Sequence, residues 1–565
     1  MSNKLHFISF PRNCTEPTSM DISQTPVKRY KIIPVFEIVL ILFFSFLPLF
    51  AKFPFRVNIF LSWEGAYRMS RGEVPYRDFG MPLGYMFWVI PALFFKLFGT
   101  QMVTLVKAQI LINIISGLAF RSILKSLGVN PVVRFLAVLL YCLSYIFFNF
   151  WPWYNQTVIV YQITGLAFLF RFMFAKAQTK WNWVYLILSA LFTFFSFFTK
   201  QDAGGMAFIM CLVLVSYYSI NSRASMPLIV YLSSFILIAA LFIVPLLKYN
   251  FGYWFNHGQP PHTSRVDFPD ILDEFFYSSQ WIKFYLFMAI LLTVLSVKSF
   301  RELILNKRLF IFLLLTLGIL CEASILQVTS YTPPDNNIFF HSFAFVFIFS
   351  LLAQKLNINF HRPGLIALCT IGIVLWWSGS GWKYFQKITQ RFYSGIVSQP
   401  VTSENIVNRK TYKIDPNSRT DIPISDWKFS NLKSFHNIYM PRQTVDGMER
   451  LKNMPLLKSK GTLKVLNMTE LTPLAVELPY QVETGRDQPL WYHLGVAMFN
   501  KEAAMFEQRI KQHQYDLVLF ENIPNLNNFY PFRIRDSLMV YYQKVDSFAA
   551  PRSGDTQGMI EVYTK

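Results

Sequence analysis

The chain has 565 residues, of which 53% are hydrophobic and only 15% are charged, whereas an average soluble domain has about 25% charged residues. Its mean hydropathy is +0.33 and its formal net charge is +21. This composition excludes an ordinary soluble globular protein and favours an integral membrane protein. No basic stripe is interleaved with aromatic residues on a soluble module, so we do not expect nucleic-acid binding.

The N-terminal tail, residues 1–31, is polar and ends in the basic run VKRYK. No small-residue cleavage site follows it, so we expect a retained first span and not a signal peptide. The five cysteines show no paired spacing, and neither a disulfide framework nor a thiolate metal site is predicted.

Apolar segments dominate the next part of the chain, and about 20 residues are enough to cross a bilayer. They lie at 32–51, 103–124, 132–150, 156–174, 183–199, 204–220, 227–247, 281–297, 309–328, 338–353 and 364–380. The pattern predicts a polytopic α-helical membrane protein with about 11 spans, in a transmembrane domain at 32–382.

A shorter apolar segment, 83–98, contains Pro91, and whether it crosses the membrane decides the side of every later loop. If it does not cross, the outer loops after the first hold only four basic residues: Lys200, Lys248, Arg265 and Lys283. The remaining loop lysines and arginines then face the cytoplasm, as the positive-inside rule requires. We therefore expect an inner N-terminus and a helix at 83–98 in the outer interface.

Residues 383–565 have the composition of a soluble domain. Short apolar runs at 461–468, 515–521, 538–545 and 559–565 predict strands, and 500–512 has a helical pattern. We expect a C-terminal α/β domain on the outer face of the membrane.

The first outer loop carries an unusual charge cluster, in the stretch LSWEGAYRMSRGEVPYRDFG (61–80). Ser62 suits the N-cap of a short helix 63–70 that Gly72 would end. Glu64, Arg68 and Arg71 then fall on one helical face. Such pairs are commonly solvated ion pairs worth roughly 0.5 kcal/mol, but a carboxylate beside guanidinium groups also suits activation of a nucleophile next to a bound phosphate.

The pattern E-G-x-Y-R-x-x-x-G-x-x-P-Y-R-D-F…P-x-G-Y, followed by an apolar helix ending K-L-F-G, resembles the first outer loop of GT-C glycosyltransferases. It is most similar to the bacterial branch of protein O-mannosyltransferases and aminoarabinose transferases. The resemblance covers roughly the first 380 residues.

The resemblance implies a polyprenyl-phosphate sugar donor and transfer of a hexose or pentose on the outer face of the membrane. The implied acceptor is a lipid, a glycan or a protein. The first-loop acid implied as the base is Glu64, with Asp78 in reserve because the family often has two acids here. Arg68 or Arg77 would help to bind the donor phosphate, and Tyr67 and Tyr76 of the same loop would contact substrate.

The corner FFTKQDAGG (197–205) is a second place for chemistry. A lysine at the end of a span is most often an interfacial anchor. The resemblance instead implies that Lys200 faces the donor phosphate, where an ammonium would stabilise the leaving group, with Asp202 contacting substrate.

Two further stretches carry polar residues at outer span ends. In WPWYNQ (151–156) the aromatic residues are typical of an interfacial belt, and the alternative is a sugar-binding surface made by Trp153, Tyr154, Asn155 and Gln156. In SYTPPDNNIFFHSF (330–343), Asp335 and the intramembrane His341 are candidates for substrate contact or for structural hydrogen bonds.

Together with this resemblance, the sequence predicts a membrane glycosyltransferase of the bacterial inner membrane that contacts membrane lipids and needs no cofactor or metal. Acids and histidines in 250–280 match no metal motif. The alternatives are a transporter or flippase of lipid-linked glycan, which should show inverted repeats, and a polysaccharide polymerase or ligase, for which Arg265 is too isolated.

Overall fold

A computed structural model of the chain describes residues 32–50, 53–54, 59–145, 151–175, 179–255, 268–278, 280–330, 338–360, 362–376, 422, 426–459, 461–490, 499–523, 531–551 and 558–565. Three features predicted from the sequence lie outside these residues: the N-terminal tail, the domain boundary after residue 382 and the candidate residue Asp335.

The first two thirds of the chain form a body of helices rich in leucine, isoleucine and phenylalanine. Its helices are α1 (Ile33–Phe46), α2 (Ile59–Ser70), α3 (Met86–Phe98), α4 (Met102–Ser126), α5 (Pro131–Leu143), α6 (Tyr154–Met173), α7 (Lys180–Phe197), α8 (Gln201–Ser222), α9 (Met226–Ile243), α10 (Phe268–Asp273), α11 (Gln280–Ser296), α12 (Phe300–Leu305), α13 (Lys307–Ser330), α14 (Ile338–Lys355) and α15 (Pro363–Trp376).

Each apolar segment predicted to span the membrane coincides with one of these helices, and the protein is an integral membrane protein. Six described helices are long and apolar enough to cross a bilayer, or seven if the bent pair Ile271–Tyr277 and Gln280–Ser296 is one span. The predicted total of about 11 spans is therefore not confirmed. Four of the apolar helices, among them α3 and α5, have fewer residues than a straight crossing needs.

Helix α6 lies at the centre of the body. It packs against α4 and α7, and α7 also contacts α8 and α9. The apolar window of α6 is 89% buried, whereas that of the peripheral α9 is only 11% buried. The body thus has a protein-packed centre and an apolar outer surface, as expected for a protein surrounded by lipid.

The C-terminal part is an α/β domain with helices α16 (Arg442–Lys452), α17 (Pro455–Ser459), α18 (Leu474–Glu477), α19 (Phe499–Lys511) and α20 (Phe532–Tyr541). Its four-stranded sheet has the order β4-β5-β7-β6, formed by β4 (Val465–Met468), β5 (Leu517–Asn522), β6 (Gln543–Ala549) and β7 (Met559–Thr564). Only β4 and β5 are parallel.

A second sheet joins the domain to the helical body. Strand β1 (Phe53–Pro54) precedes α2, and it pairs in parallel with β3 (Ile438–Pro441), which pairs antiparallel with β2 (Trp427–Phe429). The first loop therefore supplies one edge strand of a sheet whose other strands belong to the C-terminal domain.

Two sequence predictions were wrong in detail. Residues 538–541 end α20 and are not part of a strand, because Ile534 and Leu538 bury one helical face and β6 begins only at Gln543. Ser62 is not an N-cap, because α2 begins three residues earlier and the buried Ser62 hydroxyl donates to the Pro152 carbonyl at 2.5 Å.

The first loop packs closely on the corner between α7 and α8. A Cβ added to Gly84 would lie 1.7 Å from the Phe198 carbonyl oxygen, which is a backbone atom and cannot rotate away. We expect Gly84→Ala to destabilise the protein by about 1–3 kcal/mol through overpacking, and to lower its melting temperature in detergent. Gly205→Ala is the matched control, because nothing lies within 4 Å of that added Cβ. Equal melting temperatures for the two variants would contradict this packing.

Candidate active site

The buried guanidinium of Arg68 organises the first loop. Arg68 is 2% exposed, and its Nε and Nη2 donate to Glu64 Oε1 at 3.0 and 2.8 Å. Its Nη1 donates to Glu73 Oε2 at 3.0 Å and to the Glu483 carbonyl at 2.8 Å. One side chain thus binds two acids of the first loop and the backbone of the C-terminal domain.

Glu64 keeps one carboxylate oxygen available. All its bonds from Arg68 reach Oε1, and among the described residues none donates to Oε2. Burial raises the pKa of Glu64; Arg68 opposes this shift, and the neighbouring charge of Glu73 adds to it. The result is a positioned carboxylate that accepts a proton more readily than an exposed glutamate.

A cavity of about 30 Å³ lies between α2 and the C-terminal domain, next to this carboxylate. Trp63, Glu64 and Arg68 form its wall on the first loop. The opposite wall belongs to the C-terminal domain and consists of Val465, Leu466, Asn467, Thr472, Ala475, Tyr480, Val482, Glu483 and Gln488. The site is therefore built jointly by the two parts of the chain.

Arg71 does not join Glu64 and Arg68, although helical spacing places all three on one face. Its Nη1 donates to the Tyr67 hydroxyl at 2.9 Å, and its guanidinium lies over the Tyr67 ring. Tyr67 is itself buried and stacks on Trp63 with 4.6 Å between ring centroids. Tyr67 thus packs beside a cavity residue without lining the cavity itself.

Asp78 holds the turn that follows α2. Its Oδ2 accepts from the Val74 amide at 2.7 Å and from Arg77 Nη2 at 2.6 Å. The hydrogen bonds from Arg77 lower the pKa of Asp78, against the opposing effect of partial burial. Both carboxylate oxygens are engaged, so this acid is a poorer proton acceptor than Glu64.

Tyr76 is a structural residue of the same turn. It has φ +67° and is fully buried, and its hydroxyl donates to the Leu83 carbonyl at 2.6 Å. Its ring packs edge-on against Phe251. These contacts leave it inside the protein and away from the described cavity.

Lys200 lies at the start of α8 as part of a buried ion pair. Its Nζ lies 2.9 Å from Asp202 Oδ2, and the two side chains are 10% and 16% exposed. Gln201 donates to the Trp254 carbonyl at 2.7 Å, which ties this corner to the 3-10 helix Phe251–Phe255. The burial of Lys200 does not fit the role of an interfacial anchor, whose charged end would reach solvent.

The WPWYNQ stretch contributes more to the interior than to a surface. Trp153 precedes α6, and Tyr154, Asn155 and Gln156 form its first turn. Tyr154 packs edge-on against Phe87, with 5.9 Å between ring centroids. The Asn155 Oδ1 atom and both polar atoms of the Gln156 amide are buried without hydrogen-bond partners among the described residues. Asp202 lies close enough for its charge to act on Tyr154, so this turn adjoins the Lys200 corner.

His341 lies in a separate aromatic setting. Its ring centroid is 4.1 Å from that of Trp281, and its Nδ1 lies 2.9 Å from the Tyr285 hydroxyl. None of these residues lines the cavity at Glu64.

Several site residues were not found from the sequence. Glu73 was not singled out from the sequence, although it shares the Arg68 guanidinium with Glu64. Thr472, Tyr480 and Glu483 reach the cavity from the C-terminal domain, more than 400 residues along the chain from Glu64. A single sequence holds no signal for such a contact, whereas the i, i+4 spacing of Glu64 and Arg68 did predict their proximity.

A second carboxylate joins the domain to the helical body. The Tyr253 hydroxyl donates to Glu502 on α19 in a short hydrogen bond. Burial raises the pKa of Glu502 to about 7; the bond from Tyr253 offsets part of this shift, while Asp487 adds to it. This contact joins α19 of the domain to the 3-10 helix Phe251–Phe255 of the helical body.

Solved structures resemble this chain over most of its length. ArnT from Cupriavidus metallidurans bound to undecaprenyl phosphate is 12% identical, with a TM-score of 0.45 over 94% of this chain and 97% of that chain. The Archaeoglobus fulgidus oligosaccharyltransferase is 9% identical, with a TM-score of 0.44 over 86% of this chain and 68% of that chain. Arabinofuranosyltransferase AftD from Mycobacteria is 12% identical, with a TM-score of 0.46 over 96% of this chain and 40% of that chain.

All three TM-scores are below 0.5, so these likenesses carry no argument about this chain. The GT-C-like fold stays the prediction that the first-loop motif makes. No family model matches the chain, and no curated protein matches it at a significant level.

The raised pKa of Glu502 predicts a pH-dependent stability. A carboxyl with a folded-state pKa near 7 binds more protons when folded than when unfolded. Its contribution is therefore complete below its ordinary pKa near 4.5 and is lost as the pH rises through 7. We expect the melting temperature to fall by a few degrees between pH 5 and pH 8.

Glu502→Gln should remove most of this pH dependence, because the amide oxygen still accepts from Tyr253 but does not titrate. Glu507→Gln is the control, since Glu507 pairs with Arg533 on the domain surface. Identical pH profiles for the wild-type protein and Glu502→Gln would show that this carboxyl does not titrate in that range.

Proposed function

We propose that the protein is a glycosyltransferase that moves a hexose or pentose from a polyprenyl-phosphate donor to an acceptor on the outer face of the membrane. The observation that carries the proposal is Glu64. It is a carboxylate with only 12% of its side chain exposed and a raised pKa; it is fixed through Oε1 and lines a cavity, while its Oε2 has no donor among the described residues.

This geometry supports general-base catalysis of sugar transfer. Glu64 Oε2 takes the proton of the acceptor nucleophile, whose oxygen forms a bond to the anomeric carbon. The bond from that carbon to the donor phosphate breaks on the opposite side, and polyprenyl phosphate leaves with the electron pair. Attack opposite the leaving group inverts the anomeric carbon. Arg68 orients the carboxylate through two N–H groups on one oxygen.

Donor binding is assigned to the Lys200 corner. Negative charge grows on the phosphate as the sugar departs, and an ammonium held in a water-poor site stabilises that charge. Lys200 is held by Asp202 at the outer end of α8, and the buried amides of Asn155 and Gln156 lie on the adjoining turn. Arg77 pairs with Asp78 and is 43% exposed, which leaves it accessible as a second phosphate ligand. Arg68 already uses its N–H groups on Glu64, Glu73 and Glu483, so its role here is mainly to orient.

The alternative, a transporter of lipid-linked glycan, has one observation in its favour. Glu322 on α13 is fully buried in the helical body, and Gln162 on α6 donates to its Oε2 at 2.6 Å. Intramembrane carboxylates often mark transport pathways. Wild-type protein that moves labelled polyprenyl phosphate across liposomes without cleaving a sugar donor would support transport over transfer.

One prediction concerns the proposed base, Glu64. Glu64→Gln keeps the shape and an acceptor for Arg68 but removes the basic oxygen, so we expect the rate of sugar transfer to fall about 10²–10⁴-fold. Asp78→Asn, measured separately, should retain most of the transfer rate and mainly loosen the turn. The assay is sugar release from undecaprenyl-phosphate pentoses and hexoses by purified protein, with melting temperature recorded for each variant. A Glu64→Gln variant that transfers sugar at the wild-type rate would overturn the proposed mechanism.

Another prediction concerns the binding of the donor phosphate by Lys200. Lys200→Gln should raise the KM for the donor about tenfold or more, since a hydrogen bond to a charged group is worth about 1.5–3 kcal/mol. Lys248→Gln is the matched control, because Lys248 also lies at an outer span end but is exposed beside Tyr249. A lower melting temperature for Lys200→Gln with an unchanged donor KM would assign Lys200 a purely structural role.

A further inference from the structure

Thr472 has a polar atom that the protein itself does not use. It is 7% exposed and lines the cavity at Glu64, and its Oγ1 is buried without a hydrogen-bond partner among the described residues. A buried hydroxyl without a partner costs about 1–3 kcal/mol. The cost is recovered when a ligand or water in the cavity supplies the missing partner.

Tyr480 offers a second group to the same space. It is 8% exposed and lines the cavity. Its hydroxyl oxygen accepts from Asn467 Nδ2 at 3.2 Å, and among the described residues its own O–H donates to none. Its oxygen lies close enough to feel the charges of Glu64 and Arg68. Thr472 and Tyr480 thus face Glu64 from the domain side.

The size of the cavity limits what can enter. About 30 Å³ corresponds to about two or three water molecules, since each needs about 10–15 Å³ measured in this way. This space holds a single hydroxyl group with its carbon. The cavity therefore suits the reacting end of an acceptor whose remainder lies outside it.

The charge of the cavity limits the chemistry of that group. Among its lining residues the ionisable acids and bases are Glu64, Glu483 and Arg68, which gives a formal charge of −1 when all three are ionised. Glu73 adds a further carboxylate on the far side of Arg68, and Arg509 lies 3.5 Å from Glu483. A phosphate entering here would meet two carboxylates, whereas a neutral hydroxyl would gain hydrogen bonds.

We propose that this cavity seats a neutral hydroxyl group of the acceptor, with Thr472 and Tyr480 as its positioning residues. The inference rests on the proposed function and adds to it the chemical class of the acceptor: an alcohol and not a phosphate. The acceptor O–H proton passes to Glu64 Oε2, the oxygen bonds to the anomeric carbon, and the donor phosphate leaves with the electrons of the broken bond. Thr472 and Tyr480 hold the oxygen and take no part in the proton transfer.

The test uses full-length protein in lipid nanodiscs with undecaprenyl-phosphate pentoses and hexoses as donors. Two acceptor probes with the same alkyl chain are compared: dodecyl β-glucoside, which offers hydroxyls, and dodecyl phosphate. We expect sugar transfer to the glucoside. Thr472→Val and Tyr480→Phe should each raise the KM for the glucoside about tenfold without changing the donor KM, and Thr472→Ser should restore it. Thr564→Val and Tyr541→Phe are matched controls on the same domain, outside the cavity.

The outcomes separate the two proposals. Transfer to dodecyl phosphate in preference to the glucoside, or an unchanged glucoside KM in Thr472→Val, would overturn the acceptor assignment and leave the transferase standing. If the wild-type protein cleaves none of the donors, the transferase proposal and the acceptor assignment are both overturned. Melting temperatures of the variants identify any loss that comes from unfolding.

Discussion

The site depends on one buried guanidinium. Arg68 is almost inaccessible to solvent and bonds to Glu64, Glu73 and the backbone of Glu483. Removing one partner of a buried ion pair costs about 3–5 kcal/mol because a charge is left unpaired. The guanidinium therefore holds the end of α2 against the C-terminal domain and, by the same bonds, orients the carboxylate that faces the cavity.

Two carboxylates of one short loop have opposite environments. Glu64 is mostly shielded from solvent, shares Arg68 with a second acid and has a raised pKa. Asp78, only 14 residues along the chain, receives hydrogen bonds from Arg77 and Val74, and its pKa is lowered. Where environments separate the pKa values of two acids in this way, the roles separate as well. Glu64 is the acid suited to accept a proton, and Asp78 is the acid suited to fix a turn.

The sequence predicted the helical body well because apolar length is a strong signal, and every predicted span is a helix. It predicted the Glu64–Arg68 contact because i, i+4 spacing is a local rule. It misplaced the start of α2, since the bond from Ser62 to Pro152 joins distant segments. It also took LMVY in α20 for a strand, because a short apolar run has no distinct period.

The residues that the C-terminal domain contributes to the cavity could not be predicted from the sequence, for a related reason. Thr472 and Tyr480 occupy ordinary polar and aromatic positions in the sequence, and only the folded chain brings them to Glu64. Lys200 was singled out through its corner motif, but its burial beside Asp202 depends on how the folded chain packs around that corner. Long-range packing of this kind leaves no periodic pattern to read.

The pairing of β1 with β3 bears on how the protein is made. Phe53 pairs with Ile438. Strand β1 can therefore pair only after a much later segment of the chain has been synthesised. Closing so long a loop is slow compared with forming helices locally. The helical body can assemble in the membrane as it is synthesised, but the second wall of the cavity forms only with the C-terminal domain. A nascent chain that stops short of residue 465 therefore carries Glu64 without the domain wall of the cavity.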